Sequence, residues 1–523
     1  MITTSDLSAQ DIAARAERAF SLYSVAICAA GIALLLALSL QATGGALVYA
    51  IDDPYIHLAV AESILRGGYG VNFPEPSAPS SSVLRPWLMA ALLPFGLGSA
   101  TPLVVGASAS LGFAWVASRI LFRYVVLHDG RVRPPAFWSL PPTLLLATNS
   151  WALPLTGMEH SLHVLAVSLV ALGLARLAAG QEPGVGLGVG VVLSGLVRFE
   201  GLALGVAAIG VLFLLRRWRL AATTTAVLAV ALAAHAALMI RLGLPVMPSW
   251  VLVKSGVAAD VADQALLPAI REILANLFAA ITRSEGITLA LAACALAPIA
   301  WSRRRGWPLA LPATAALAAH LLFGGFGWWG RYEVYAVALA ILALAHGYGP
   351  RFWLGGGAPL CLAAISAPYA SVTVSTPAAT RNIHEQQHQM HRFATEFMPG
   401  PVAVNDLGWV AWRNDDYVLD LWGLGSEEAR EARRAENGSG YLDRLTSRHG
   451  VRYAMIYDTW FPGAIPDEWC RIAGLATSRV SAGSELVSVY LIGSAAEAEM
   501  REALERFAPT LPPGAQLDVH PCE

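Results

Sequence analysis

Residues 20–57 read FSLYSVAICAAGIALLLALSLQATGGALVYAIDDPYIH, an apolar run followed closely by two adjacent aspartates. The part from Phe20 to Ala42 is long enough for an α-helix that crosses the hydrocarbon core of a membrane, which takes about 20 residues. The polar residues before it include Arg15 and Arg18, and no small-residue cleavage site follows it. This pattern predicts a retained first transmembrane helix rather than a cleaved signal peptide.

The composition of the whole chain also favours a membrane protein. Of its 523 residues, 56% are hydrophobic and 14% are charged, whereas soluble domains carry about 25% charged residues. A formal net charge of −2 gives no indication of nucleic-acid binding. The sequence predicts an α-helical polytopic protein of about eleven transmembrane helices, of which the apolar run described above is the first. The further spans are predicted near residues 102–122, 135–150, 159–178, 184–200, 200–216, 220–240, 286–301, 307–323, 333–347 and 353–371.

Arginines in alternate short loops set the predicted orientation, because short loops rich in Arg and Lys face the cytoplasm. The N-terminus joins these loops, and an odd number of spans places the C-terminal region outside the cytoplasm. The two long loops, at about 43–101 and 241–285, are then on the outer face. The arginine-bearing loops are those at 119–133, 176, 216–219, 303–305 and 351.

From residue 372 onward the sequence has the character of a soluble protein. Alternating strands and helices predict an extracytoplasmic α/β domain at 372–523, after a transmembrane domain at 1–371. Cys470 and Cys522 lie in this region and could form a disulfide in an oxidising compartment. The predicted elements are strands at Val402–Trp412, Tyr417–Trp422, Tyr453–Tyr457 and Leu486–Ile492, and helices at 380–398, 427–436 and 494–507.

The densest set of ionisable residues at the membrane boundary follows the first span and begins with Asp52 and Asp53. Ionisable groups at such a position are costly and commonly functional. Two adjacent carboxylates can act as a general base with an electrostatic partner, or bind a divalent cation. The alternative is a helix cap before Pro54. Capping explains one carboxylate, Asp53, so Asp52 is the favoured base.

Four further features map to the same predicted face of the membrane. Glu159 is either a third functional carboxylate or an acid that the helix dipole favours at a helix start. Arg198 and Glu200 have either a catalytic role or only that of a structural ion pair. Arg331 offers bidentate phosphate binding, and the tryptophans before it offer a sugar-stacking face or a membrane anchor. Lys254 is the only lysine in the chain, and its compact ammonium group suits a phosphate oxygen unless its retention is chance. The sets are Glu159-His160, Arg198-Phe-Glu200, Lys254 and Trp328-Trp329-Gly-Arg331-Tyr332.

The order of these motifs resembles that of the GT-C glycosyltransferases. Within that superfamily the chain looks most like the bacterial terminal arabinofuranosyltransferase-like group, over most of its length. The motifs that carry the resemblance are Asp52-Asp53-Pro-Tyr55, Thr156-Gly-Met-Glu159, Arg198-Phe-Glu-Gly201, Pro248-Ser-Trp-Val-Leu-Val-Lys254, Asp406-Leu-Gly408 and Val418-Leu-Asp-Leu-Trp-Gly423.

The resemblance implies an inverting enzyme that moves a sugar, arabinofuranose among the candidates, from a polyprenyl-phosphate donor. The acceptor would be a cell-envelope glycan, lipid or protein at the outer face of a bacterial inner membrane. Asp52 or Asp53 would be the base, supported by Glu159, while Lys254, Arg331 and Arg198 would hold the donor phosphate. The substrate-binding positions would be Tyr55, His57, His160, Glu200, Trp328, Trp329 and Tyr332.

Two points stay open at the level of sequence. Some members of the superfamily need a divalent metal, which here would be Mg²⁺ or Ca²⁺ at Asp52 and Asp53. The alternatives to an enzyme are a transporter or flippase of lipid-linked glycans and a membrane-anchored receptor. A transporter tends to carry polar residues near the middle of its spans, where this sequence has almost none.

Overall fold

The computed structural model of the chain describes residues 9–247, 266–302, 306–349, 357–435, 440–493 and 496–522. They divide into two compact units. The first lies within Met1–Leu36, Leu103–Ala234 and Asp260–Val374, and the second within Ala37–Pro102, His235–Ala259 and Ser375–Glu523. The whole of the predicted outer loop 43–101 therefore belongs to the same unit as the C-terminal region. The domain boundary at 371/372 stays a prediction.

The first unit is helical because its sequence is apolar almost throughout. Val334–Tyr348 shows this most clearly, since nearly all of its residues are buried and a helix that is apolar all round belongs in an interior. The helices that contribute to this unit are Ala9–Ala42, Thr101–Leu121, Pro134–Ala147, His160–Ala178, Val185–Val197, Gly201–Leu214, Trp218–Arg241, Leu266–Ile281, Ser284–Trp301, Trp307–Phe323, Val334–Tyr348 and Gly357–Glu385.

Each predicted membrane span coincides with one of these helices, which confirms the predicted helix positions and the mostly helical fold. Within the described residues, five helices are long and apolar enough to cross a membrane by length and composition. Shorter apolar helices include Val185–Val197 and Val334–Tyr348. The number of crossings and their orientation stay predictions. The five long helices are Asp11–Ala42, Gly98–Val126, His160–Ala178, Trp218–Arg241 and Ser284–Trp301.

Small residues let two of these helices pack closely. A Cβ added to Gly190 would meet the backbone of Ala166 and Val170, and one added to Gly173 would meet Leu187. The glycine-rich run that opens the helix Val185–Val197 thus serves contact with His160–Ala178, as is common between membrane helices.

The second unit contains short helices and, among its described residues, a mixed six-stranded sheet. Its strands are β3 Val402–Val404, β4 Val418–Asp420, β5 Tyr453–Ile456, β6 Cys470–Ala476, β7 Leu486–Leu491 and β8 Gln516–Val519, while β1 Leu127–His128 and β2 Arg131–Val132 form a separate hairpin in the first unit. The strand order in the sheet is β4-β3-β5-β7-β6-β8. Strands β3, β4 and β5 are parallel, and the remaining neighbours are antiparallel. The short helices are Asp53–Leu65, Arg85–Leu92, Gln387–Arg392, Gly408–Ala411, Glu427–Ala435, Tyr441–Arg448 and Glu497–Phe507.

The predicted α/β character of the C-terminal region is confirmed, with corrections to single elements. The strand predicted at Val402–Trp412 ends at Val404, because Gly408–Ala411 is helical. Strands β6 and β8 were not predicted from the sequence. β6 has the sequence CRIAGLA, in which apolar residues do not alternate with polar ones. β8 has four residues that are mostly exposed, and its pairing with β6 is non-local. Period-two patterning is weak in such segments.

A disulfide joins Cys470 to Cys522, with the Cα atoms 5.4 Å apart and a sequence separation of 52. The bond ties β6 to the chain after β8. Disulfides persist in oxidising compartments, so the pairing agrees with the predicted extracytoplasmic location of this region.

Candidate active site

The first candidate site is the aspartate cluster, which we define as Asp52, Asp53 and Asp406 of the second unit. Asp52 is 5% exposed. Its Oδ2 accepts the backbone N–H of Gly408 at 2.7 Å, and its Oδ1 accepts that of Trp409 at 2.9 Å. These donors open the helix Gly408–Ala411, whose first N–H groups have no partner within the helix. Asp52 therefore anchors its own loop to that helix.

The glycine at position 408 is required by this contact. A Cβ built on Gly408 would lie well inside the van der Waals radii of the Asp52 backbone oxygen and carboxylate. Only a residue without a side chain allows the two segments to approach so closely. The Asp406-Leu-Gly408 sequence therefore serves the position of Asp52.

Asp406 faces the same carboxylates from the C-terminal region. Its Oδ2 accepts a hydrogen bond from Gln387 Nε2 at 2.8 Å, and the Tyr457 hydroxyl lies 3.2 Å from the same oxygen. Burial raises the pKa of Asp52 well above its ordinary range, and the negative charge of Asp406 raises it further. Burial also raises the pKa of Asp406, against the lowering effect of the Gln387 donor. The cluster therefore holds carboxyl groups that gain a proton more readily than ordinary aspartates.

Asp53 differs from its neighbour because it is only half-buried. It is the first residue of the helix Asp53–Leu65, with Asp52 at the N-cap, and the Asp52 side chain makes no capping hydrogen bond to that helix in the described residues. The N-cap position is therefore Asp52, and the prediction that Asp53 caps this helix is wrong. Of the two, Asp53 is the more accessible carboxylate.

Tyr55 and His57 follow on the same helix and are buried. The Tyr55 ring lies 3.9 Å from that of Trp409, and its hydroxyl accepts the Tyr49 N–H at 3.2 Å. His57 Nδ1 lies 3.2 Å from Ser80 Oγ. These contacts hold the outer loop together, and the substrate-binding roles of both residues stay predictions.

The described residues offer little for the divalent cation anticipated at Asp52 and Asp53. They contain no group of three or more His, Cys, Asp or Glu side chains that could hold a metal ion. Hard cations such as Mg²⁺ and Ca²⁺ need several oxygen ligands. Both Asp52 oxygens already accept backbone N–H groups, so the described residues at Asp52 and Asp53 do not fit the ligand set of such a cation.

The second candidate site is the arginine cluster of the first unit, which we define as Glu159, His160, Arg198, Glu200, Arg331 and Tyr332. Arg198 is 1% exposed. Its Nη1 donates to Glu159 Oε1 at 2.9 Å, and its Nη2 donates to Glu200 Oε1 at 2.6 Å. His160 Nε2 lies 3.0 Å from the same Nη1. One guanidinium therefore pairs with two carboxylates. The Arg198–Glu200 ion pair, which the sequence left open as an alternative to a catalytic role, is present.

Tyr332 connects this ion pair to the second arginine. The guanidinium carbon of Arg198 lies 5.5 Å from the centre of the Tyr332 ring, and that of Arg331 lies 5.0 Å from it. Arg331 Nη2 also donates to the Tyr332 hydroxyl at 3.1 Å. Both distances fall within cation–π range, so the Tyr332 ring attracts both buried guanidinium groups.

The loop before Arg331 has an unusual backbone. Residues 327–330 all have positive φ, and two of them are tryptophans, Trp328 at 44° and Trp329 at 67°. The left-handed region costs an L-residue about 1–2 kcal/mol, and such strain commonly marks functional positions. Trp328 is 51% exposed, which leaves its ring available for a sugar or for the membrane interface.

Buried polar residues fix the strained loop in place. Asn149 Nδ2 donates to the Trp329 and Gly330 carbonyls at 3.2 and 3.0 Å. Glu333 accepts the Gly327 N–H and the Tyr369 hydroxyl, both at 2.9 Å. Sequence reasoning gave no role to Asn149, Glu333 or Tyr369, since each lies alone beside an apolar run and nothing local marks its partner.

The predicted site residues thus fall into two groups. The first unit brings together Glu159, His160, Arg198, Glu200, Arg331 and Tyr332, and the second brings together Asp52, Asp53 and Tyr55. That the two clusters serve one reaction stays a prediction. Lys254, predicted to hold the donor phosphate, lies outside the described residues, as does the Pro248–Lys254 motif.

Comparisons with known proteins cover the chain only in part. Residues 381–490 match a family described as a domain of unknown function (DUF8728). No curated protein matches the sequence. Among solved structures, an oligosaccharyltransferase of Archaeoglobus fulgidus, crystallised in complex with zinc and sulfate, matches at 12% identity and a TM-score of 0.40, over 86% of this chain and 72% of that one. A likeness of this size says nothing about the chemistry of this chain.

Proposed function

We propose that the protein is a membrane glycosyltransferase that moves a sugar from a polyprenyl-phosphate donor to an acceptor hydroxyl of the cell envelope, with Asp53 as the general base. The observation that carries the proposal is the aspartate cluster. Asp52 is fixed by two backbone N–H groups, and the adjacent Asp53 is the more exposed carboxylate. Together with the GT-C-like order of the motifs, this arrangement favours proton abstraction over transport.

In the proposed reaction, a lone pair of the acceptor oxygen forms the new bond to the anomeric carbon of the sugar. The hydroxyl proton passes to an Asp53 oxygen, and the polyprenyl phosphate leaves with the electron pair of the broken bond. Asp52 is a positioning residue, since both of its oxygens are bound to backbone N–H groups. General base catalysis of this kind typically contributes about 10²–10⁴-fold in rate.

The donor phosphate is assigned to Arg331 rather than to Arg198. Arg198 already pairs with Glu159 and Glu200, so a phosphate beside it would meet two carboxylates. Arg331 lies over the Tyr332 ring and donates to the Tyr332 hydroxyl, so its described contacts place no carboxylate where a phosphate would bind. A planar guanidinium binds phosphate oxygens well, and the neighbouring Trp328 offers a face for the sugar.

The test is complementation of a strain that lacks the gene, with mass spectrometry of its envelope glycans. The wild type and Asp415→Asn should both restore the missing glycan, because Asp415 is a highly exposed aspartate of the same unit. Asp53→Asn should reach the membrane in normal amount and fail to restore it. With purified protein and the donor so identified, Asp53→Asn should lower kcat by about 10²–10⁴-fold.

Asp52→Asn separates positioning from catalysis. It should impair the folded amount of protein as well as turnover, since the amide group can accept only one of the two backbone N–H groups at its oxygen. Full restoration of the glycan by Asp53→Asn would refute the assignment of the base. Lipid-linked sugar retained on the inner leaflet of the deletion strain, together with unimpaired sugar transfer in its disrupted membranes, would refute the transferase and favour a flippase.

A further inference from the structure

A cavity of about 120 Å³ in the first unit lies among arginine-bearing helix ends, at the face predicted to be cytoplasmic. Its polar lining includes Glu17, Arg119, Arg123, Arg176 and Gln181. The volume is several times the roughly 10–15 Å³ that one water molecule requires. The cavity is independent of both candidate clusters, so the argument for it does not rest on the proposed function.

The end of the helix His160–Ala178 builds one wall of this cavity. Gly180 has φ 73° and donates its N–H to the Leu177 carbonyl, while the Gln181 N–H returns to the Arg176 carbonyl at 2.9 Å. This pair of bonds is a Schellman motif, for which glycine in the left-handed conformation is the usual residue. It folds Gln181 back beside Arg176, where both line the cavity.

A π-helical turn contributes a further part of the lining. The helix Thr101–Leu121 widens into a π-helix over Phe122–Val126 before the chain turns into the β1–β2 hairpin. Single π-helical turns recur at functional sites. Here the turn carries Arg123 and Tyr124 to the cavity lining, where Arg123 Nη1 donates to Gln181 Oε1 at 3.1 Å.

The charged residues of the lining are mostly positive, which favours an anionic ligand. Three guanidinium groups meet one carboxylate, that of Glu17, whose Oε1 lies 3.3 Å from Arg119 Nε. Arginines at helix C-termini and in cytoplasmic loops are expected from the helix dipole and from membrane topology alone. Those effects favour side chains that spread into water, and Arg119 and Arg123 are exposed. They do not require that three arginines line the same cavity beside an apolar surface.

The remaining lining selects the kind of anion. Ile120, Leu172 and Ala175 form an apolar side next to the arginines. A free ion gains nothing from such a surface, whereas a phospholipid brings a phosphate group and the start of its acyl chains together. We infer that this cavity binds the phosphate group of an anionic phospholipid of the cytoplasmic leaflet.

The experiment is native mass spectrometry of the full chain in detergent after incubation with phosphatidylglycerol, beside inorganic phosphate as a competitor. The test variant is R119Q/R123Q/R176Q. The matched control is R217Q, because Arg217 pairs with Glu182 and does not line the cavity. We expect the wild type and R217Q to retain phosphatidylglycerol, and the triple variant to lose at least about tenfold in retention, as charge-assisted hydrogen bonds would give.

Each outcome bears on the inference. Retention that is equal in the wild type and the triple variant would overturn it. Inorganic phosphate that raises the melting temperature of the wild type only, without retention of phosphatidylglycerol, would support an anion site and overturn its lipid occupant. Should the triple variant not fold, R176Q alone and a salt titration of the wild type replace it. Retention must then fall in R176Q and with rising salt, because exposed charges are screened.

Discussion

The aspartate cluster and the arginine cluster both bury carboxylates, but they stabilise them in opposite ways. In the arginine cluster, Glu159 and Glu200 are compensated by the formal charge of Arg198. In the aspartate cluster, Asp52 and Asp406 are held by backbone N–H groups, an amide and a phenol. The described hydrogen-bond donor to Glu159 and Glu200 is a charged guanidinium, whereas the described donors to Asp52 and Asp406 are neutral groups.

This difference bears on chemistry. Carboxylates paired with a guanidinium stay ionised and are poor proton acceptors, so the arginine cluster is suited to holding geometry and charge. Carboxyl groups that are buried close to one another have raised pKa values, and a group whose pKa approaches the working pH is suited to proton transfer. The comparison therefore favours the aspartate cluster over the arginine cluster as the place of the proposed proton transfer.

The largest expected effect is on stability, from Arg198→Met. The variant leaves Glu159 and Glu200 buried beside a neutral side chain, and breaking a buried pair in this way costs about 3–5 kcal/mol. Thermal unfolding in detergent should show a large loss. Arg217→Met removes an exposed pair and should cost no more than about 1 kcal/mol.

A compensating variant sharpens the same prediction. Arg198→Met combined with Glu159→Gln and Glu200→Gln should recover a substantial part of the lost stability, because no ionised carboxylate then remains without the guanidinium. Equal losses for Arg198→Met and Arg217→Met would show that the arginine cluster does not depend on charge pairing.

The second effect is the steric one at Gly408. Gly408→Ala should cost about 1–3 kcal/mol, the usual range for overpacking, and should lower turnover, because the added Cβ displaces the Asp52 carboxylate. Gly210→Ala is the matched control. A Cβ there has no neighbour within 4 Å among the described atoms, and alanine in a helix interior gains roughly 0.5–1 kcal/mol over glycine. Normal turnover in Gly408→Ala would remove the anchoring role of Asp52.

The helices could be predicted from the sequence because membrane spans are long apolar runs, a signal that needs no partner. Each predicted span coincides with a helix. The sheet was harder. Its strand β3 has only three residues, and the apolar residues after it continue into the helix Gly408–Ala411. Strand β8 pairs with β6 over some forty residues of chain, which no local pattern records.

The candidate residues could be predicted only where charge interrupts an apolar run, as at Asp52 and Arg198. The partners of these residues could not be inferred in the same way. The bond from Gly408 to Asp52 spans 356 residues of sequence, and the role of Asp406 depends on which carboxylates face it. The sequence favoured Asp52 as the base for the same reason. Its hydrogen bonds to the helix Gly408–Ala411 come from residues far away in the chain, and no local pattern indicates them.

The smallest expected effect is a pH dependence that separates the two clusters. The folded pKa values of Asp52 and Asp406 lie above their ordinary range because of burial and neighbouring negative charge. Folding therefore favours the protonated form. The resulting stability is fully present below the ordinary pKa, near 3.9, and is lost as pH rises through the folded values. The melting temperature of the wild type should accordingly fall by a few degrees from pH 4 to pH 8.

Asp406→Asn should flatten this fall. The amide oxygen can still accept from Gln387 and Tyr457, its NH₂ can donate toward Asp52, and one buried negative charge is gone. Asp415→Asn, at an exposed position, should leave the slope of the wild type unchanged. Parallel melting curves for the wild type and Asp406→Asn would mean that these carboxyl groups titrate as ordinary aspartates. In that case the aspartate cluster would lose the property that distinguishes it from the arginine cluster.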